Sequence, residues 1–283
     1  MKYVRLNNGV PMPMLGLGVY QIPDALEAER VVSDAFEVGY RLIDTAAAYG
    51  NEESVGNAIR HSGIDRSELF ITTKLWVQDY GYEPTLKAFD ASLKKLGLDY
   101  LDLYLMHKPY GDYYGSWRAL EKLYREGMIR AIGVTSFWNE RLADLVAYNE
   151  IKPTVNQIET NVWRQQDEAV DFMAKTGVAP QAWAPFAEGL KDVFNAPVLK
   201  TLAEKYGKST AQIMLRWHLQ RGVSVIPKTT RKQRLVENMN IFNFNLSDDD
   251  MANIKTLDTG KSPIYDEMDP KTVKWIAGHK IHN

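Results

Sequence analysis

The chain has 283 residues, 45% hydrophobic and 25% charged, with 34 Lys and Arg against 36 Asp and Glu for a formal net charge of −2. That balance offers no bulk attraction for nucleic acid or an anionic membrane, and the lack of cysteine excludes disulfides, thiolate chemistry and Cys-ligated zinc. No run reaches the about 18 apolar residues of a membrane span, and the first residues carry no secretory-leader pattern, so a cytoplasmic protein is expected.

The first element is "YVRLNNGVPM" (3–12), an expected small hairpin turning at Asn8-Gly9. Eight short apolar runs follow, at 15–19, 41–45, 69–74, 100–107, 129–136, 154–159, 180–185 and 223–227. Helical spacing separates them. In Ala25–Val38 the residues Leu26, Val31 or Val32, Ala35 and Val38 recur every three or four positions, and Gly39 ends the run. Thr85–Leu96, Trp117–Arg125 and Ala211–Gln220 read the same way. Strands alternating with helices imply βαβ units on a parallel sheet. Eight of them fit a closed (β/α)8 TIM barrel, typically about 250 residues, with the hairpin capping its bottom. No linker or composition break appears, so one domain spanning 1–283 is expected. An open doubly wound sheet would want G-x-G-x-x-G after its first strand, and "GLGVYQ" (16–21) lacks the third glycine.

Polar residues fall where such a barrel builds its sites, at the C-terminal strand ends. The second strand ends at Asp44, the third at Lys74 and the fourth at His107, and Tyr49 follows on the loop after Asp44. Singly, these could be a helix cap, a solvated strand end, a core histidine and loop packing. Together they form a proton-donating set, in which the ammonium favours phenolate, the carboxylate fixes the lysine and a neutral imidazole orients a carbonyl. Further along, Thr230 and Gln233 have capping-box spacing, which predicts a helix start amid Lys228, Arg231, Lys232 and Arg234. Cations at a helix N-terminus want a compensating anion.

These motifs, "GYRLIDTAAAYGNEESVG", "ITTKLW", "LDLYLMHKP", "GMIRAIGVTSF", "VNQIE" and "VIPKTTRKQRLVEN", resemble the aldo-keto reductases over nearly the full chain, nearest the bacterial 2,5-diketo-D-gluconate and glyoxal reductase branch. The resemblance implies an NADPH-dependent reductase of small carbonyl compounds, with no metal and no macromolecular partner, expected as a monomer. It puts the catalytic tetrad at Asp44, Tyr49, Lys74 and His107, with Tyr49 as general acid. For the nicotinamide end it implies Gly18, Val19, Asp44, Thr135, Ser136, Gln157 and Trp183, and over the pyrophosphate Pro185 and Phe186. For the 2′-phosphate it implies Lys228, Thr229 and Arg234, and near the adenine Glu237 and Asn238. Tyr20, Trp76, His107 and Lys108 are the expected substrate contacts, with Trp138 and Trp163 behind them. The C-terminal stretch 262–283 is expected to fold over the pocket, anchored by Trp275.

The pattern breaks in three places. Ser136 stands where asparagine is usual, Lys108 where tryptophan is usual, and "VNQIETNVW" lacks the Phe-His-Pro that commonly follows. The Lys108 ammonium suggests attraction for anionic or polyhydroxylated carbonyl substrates. Two rivals use the same residues differently: a non-catalytic nucleotide-sensing subunit, and an isomerase-type barrel whose basic site binds a substrate phosphate.

Overall fold

The computed structural model describes residues 1–282. Strands β1 (Tyr3–Arg5) and β2 (Pro11–Pro13) pair antiparallel as the expected hairpin. Gly9 supplies the turn's positive φ of 88°. The hairpin is stapled at a distance, with Asn7 Nδ2 donating to Pro153 O at 2.8 Å and Asn8 Nδ2 to Arg130 O at 2.9 Å. Both carbonyls lie just before barrel strands, so the hairpin closes the N-terminal end, with Leu6 and Met12 buried in the core there.

Eight parallel strands follow: β3 (Leu17–Gly18), β4 (Leu42–Asp44), β5 (Phe70–Leu75), β6 (Leu103–Met106), β7 (Ile132–Thr135), β8 (Val155–Glu159), β9 (Ala179–Trp183) and β10 (Ser224–Val225). Each pairs with its sequence neighbours, in order from β3 to β10. The ring closes between the last and the first: Gly16 N donates to Val225 O and Val225 N to Met14 O, each at 2.9 Å. At this seam the chains press together, and a β-carbon on Gly18 would lie 2.7 Å from Ile226 O. The crowding explains why the first and last apolar runs yield only two-residue strands.

The helices are α1 (Ala25–Val38), α2 (Glu52–Ser62), α3 (Tyr82–Leu96), α4 (Tyr113–Arg125), α5 (Asn139–Tyr148), α6 (Asp167–Thr176), α7 (Pro197–Tyr206), α8 (Thr210–Gln220), α9 (Lys232–Met239), α10 (Asp248–Lys255) and α11 (Pro270–Gly278). α1 shows the logic. Asp24 caps it by accepting from Glu27 N at 2.7 Å, Gly39 ends it at φ 105°, and Val31, Val32, Ala35 and Phe36 face the sheet. Each fully buried Val or Phe contributes about 1.5–3 kcal/mol. The predicted α1 starts where expected, whereas α4 begins four residues early behind its Asp112 cap and α8 one residue early behind the Ser209–Gln212 capping box; α3 begins three early with no side-chain cap. The box expected at Thr230 and Gln233 does not form. Arg231 is the N-cap of α9 with no side-chain bond, because Thr229 Oγ1 takes the Arg231 N–H at 3.2 Å.

Candidate active site

Strand pairing sets the site. Asp44, the last residue of β4, pairs with Thr72 of β5, and Lys74 stands two residues on, on the same face. Its ammonium donates to Asp44 Oδ1, to Thr45 O at 2.9 Å and to Tyr49 Oη at 3.3 Å. Gln157 Nε2 donates to the other Asp44 oxygen at 2.9 Å and to Gln181 Oε1 at 2.8 Å. Lys74 and Asp44 are 0% and 1% exposed. Tyr49 sits in a short 3-10 turn (Ala47–Tyr49) ended by Gly50 at φ 70°. Thr45 Oγ1 donates to Asn51 Oδ1 and Asn51 Nδ2 to Val19 O, which fixes that loop to the barrel. His107 follows β6, with its ring 5.6 Å from Tyr49 and 5.2 Å from Trp76, both edge-on.

Burial dominates the titration of these groups. It lowers Lys74 and raises Asp44, each against the pull of the other. His107 is held well below the usual histidine range by burial, then by the charges of Lys74 and Lys108, so it is neutral. Tyr49 differs from the sequence reading, which has Lys74 favouring the phenolate. Burial and then the Asp44 carboxylate push the phenol well above its ordinary value, and it stays protonated.

The tetrad opens onto a cleft of about 1250 Å³ at the C-terminal end of the barrel. A sequence pattern of the aldo/keto reductase family matches residues 14–259. The chain belongs to that family. Glyoxal reductase of Bacillus subtilis (strain 168) is 49% identical over 268 residues, covering 94% of this chain and 96% of that protein. Methylglyoxal reductase DkgA of Escherichia coli (strain K12) is 44% identical over 261 residues, covering 91% and 94%. An aldo-keto reductase of Bombyx mori, crystallised in complex with NADP, superposes with a TM-score of 0.89 at 35% identity, covering 96% of each chain.

On this aldo/keto reductase, Gly18, Asp44, Thr135, Gln157, Trp183, Pro185 and Phe186 line the cleft, as do Lys228, Thr229, Arg234, Glu237 and Asn238. So do Tyr20, Tyr49, Trp76, His107 and Lys108, while Lys74 lies beneath Tyr49 and does not itself line it. Some expected residues lie elsewhere. Val19 is fully buried among the helix-facing residues, since strand alternation sends it away from Gly18. Ser136 is in the left-handed region at φ 58°, with its Oγ buried and unpartnered, and does not line the cleft. Trp138 packs near Tyr110, and Trp163 packs with the residues under α7, α8 and α10. Lys232 turns away to Glu37 and Asp34 of α1.

The C-terminal stretch does cover the cleft, through other residues than expected. Trp275 is 65% exposed, so it anchors nothing, although it lines the rim. The fastenings are buried Ile276, the Lys108–Glu267 pair, and Trp76 Nε1 donating to His279 O at 2.7 Å. Sequence reasoning placed Pro185 and Phe186 of the loop after β9 but missed its further residues Glu188, Gly189 and Phe194, which also reach the cleft. Ala184, Ala187, Glu188, Lys191 and Asp192 there all have φ between 48° and 56°. Non-glycine residues in that region are strained by about 1–3 kcal/mol each, and nothing in the composition of 184–192 announces it.

Proposed function

We propose that the chain reduces small aldehydes and ketones, 1,2-dicarbonyls among them, to alcohols with NADPH as reductant. The observation carrying this is the Tyr49 hydroxyl, 3.3 Å from a lysine locked to Asp44 and turned into a large cleft. The relatives named glyoxal and methylglyoxal reductase support the substrate class, and the NADP complex of the Bombyx mori protein supports the cofactor.

The residues present fit the dinucleotide. Lys228 and Arg234 line the cleft with no ion pair among the described residues, which leaves two cations for the 2′-phosphate. Trp183 offers an aromatic face and Gln157 a carboxamide partner. When bound, NADPH supplies a hydride to the carbonyl carbon. Tyr49 gives its proton to the carbonyl oxygen as charge develops there, and the Lys74 ammonium takes up the resulting phenolate by hydrogen bond and charge. His107, neutral, orients the oxygen by its ring N–H. Asp44 holds Lys74 and takes no proton.

Reduced-nicotinamide oxidation with methylglyoxal, a diketo sugar acid and an aromatic aldehyde tests this, wild type beside Tyr49→Phe. Collapse of turnover in the variant with NADPH still bound is the expected result. Binding without turnover on any carbonyl would favour a nucleotide-sensing subunit, and no NADPH binding would sink the assignment.

A further inference from the structure

Lys108 follows His107, and its side chain is only 9% exposed. Its main chain is clamped by one hydroxyl: Tyr80 Oη accepts from Lys108 N at 3.0 Å and donates to Lys108 O at 2.7 Å. The ammonium donates to Glu267 Oε1 at 2.6 Å and to Tyr265 Oη at 2.8 Å, and lies 5.5 Å from the Trp183 ring centroid. Glu267 is 3% exposed, and its carbonyl accepts from Tyr110 Oη at 2.6 Å. Two opposite charges from positions 159 residues apart are thus buried as one pair in the wall of the carbonyl pocket. The proton transfer described above uses neither.

Burial works against the Lys108 charge, yet the Glu267 carboxylate overcomes it and holds the ammonium above the usual lysine range. Around the tetrad the buried charges pair off, leaving Glu188 of the loop after β9 as a cleft carboxylate with no ion pair among the described residues. Lys74 stands against Asp44, Lys108 against Glu267, and His107 is neutral. An ammonium exposed at this wall would draw any substrate bearing a carboxylate, which is what Lys108 alone suggests from the sequence. Its partner is what reverses the expectation.

We propose that Glu267 sets the charge preference of the pocket, cancelling Lys108 so that uncharged carbonyl compounds are accepted without competition from 2-oxo acids and sugar acids. The inference rests on the carbonyl-reductase reading above and deepens it. A structural strap would need only a contact here. A charge device makes a stronger demand, because the two single substitutions must move selectivity in opposite directions and the double must restore it.

The test compares kcat/KM for glyoxylate and methylglyoxal, one anionic and one neutral, at saturating NADPH. In Glu267→Gln the glyoxylate-to-methylglyoxal ratio should rise about tenfold, and added salt should erode the gain. In Lys108→Met the ratio should fall, because the Glu267 carboxylate behind the cleft lining is left without its cation. Lys108→Met/Glu267→Gln should return it to within about threefold of wild type, and removing both charges together keeps the fold accessible. The wild-type ratio should itself be flat with salt, a measurement that needs no variant. A steep salt dependence in wild type would overturn the proposal, as would parallel losses on both substrates in all three variants. A wild type that turns over neither compound would overturn the reductase reading itself, a different result from turnover with an unmoved ratio.

Discussion

Two buried lysines, Lys74 beneath Tyr49 and Lys108 in the cleft lining, keep nearly the same company, and their behaviour differs. Lys74 has a carboxylate in Asp44 and a phenol in Tyr49; Lys108 has a carboxylate in Glu267 and a phenol in Tyr265. Burial wins at Lys74 and lowers it, whereas Glu267 wins at Lys108 and raises it. The supports differ too. Lys74 and Asp44 sit on adjacent hydrogen-bonded strands, so backbone fixes their meeting. Lys108 and Glu267 meet only if the C-terminal stretch docks. One chemical grouping is thus held rigidly by the barrel at Lys74, where we propose proton transfer, and by a docked C-terminal stretch at Lys108.

The largest expected break between the two comes from their phenols. Tyr49→Phe should lower kcat by about 10²–10⁴-fold, and Tyr265→Phe by less than about tenfold, checked by single-turnover rates at saturating NADPH. Equal losses would erase the distinction. The pH profile gives the same contrast. Tyr49 is held above its ordinary value of 10.0, so the acid is loaded at neutral pH and reduction should fall only in strongly alkaline solution. His107 is held below 6.5 and neutral, so no break is expected as pH drops through that value. A kcat that climbs between about pH 6 and 8, where an ordinary histidine titrates, would contradict the His107 direction, and one that falls across that range would contradict the Tyr49 direction.

Stability should separate the pairs next. Lys74→Met leaves Asp44 buried and unpaired and should cost about 3–5 kcal/mol, read from denaturant unfolding. Glu267→Gln should cost about 1–3 kcal/mol, because the amide still accepts from the ammonium and the strap can yield. Away from both pairs, Arg234→Ala should weaken NADPH about tenfold or more and NADH much less, by loss of a charge-assisted bond. Titration with both nucleotides reads it. The smallest effect expected is from Ser136→Asn. Asparagine tolerates the left-handed backbone at φ 58° better than serine, so the variant should gain a few tenths of a kcal/mol and bind NADPH no more weakly.

What was legible in the sequence is what strands and spacing fix. Asp44, Lys74 and His107 could be found because each ends an apolar run, and the run's direction in a barrel says where its end lies. Glu267 and Tyr265 could not, because "SPIYDEMDP" has no periodicity and their partner is Lys108, far off in sequence. Val19 was within reach, since the alternation that puts Gly18 at the cleft turns its neighbour the other way. Trp275 misled through its size. Its neighbour Ile276 lies on the inward face of α11 and takes the burial instead. At Thr230 the motif spacing was real, but the helix starts one residue later at Arg231 with no side-chain cap, and the nearby hydroxyl that is used is Thr229 Oγ1, accepting from Arg231 N.

The stapling of the first hairpin has a consequence for how the chain is made. Residues 3–13 leave the ribosome ahead of the barrel, yet the carbonyls they need belong to Arg130 and Pro153, and the seam beside them needs Val225. At a synthesis rate of about 5–20 residues per second, the hairpin waits on the order of ten seconds for its partners. During that wait Leu6 and Met12 have nowhere to go. A segment translated before the barrel is therefore among the last to find its place.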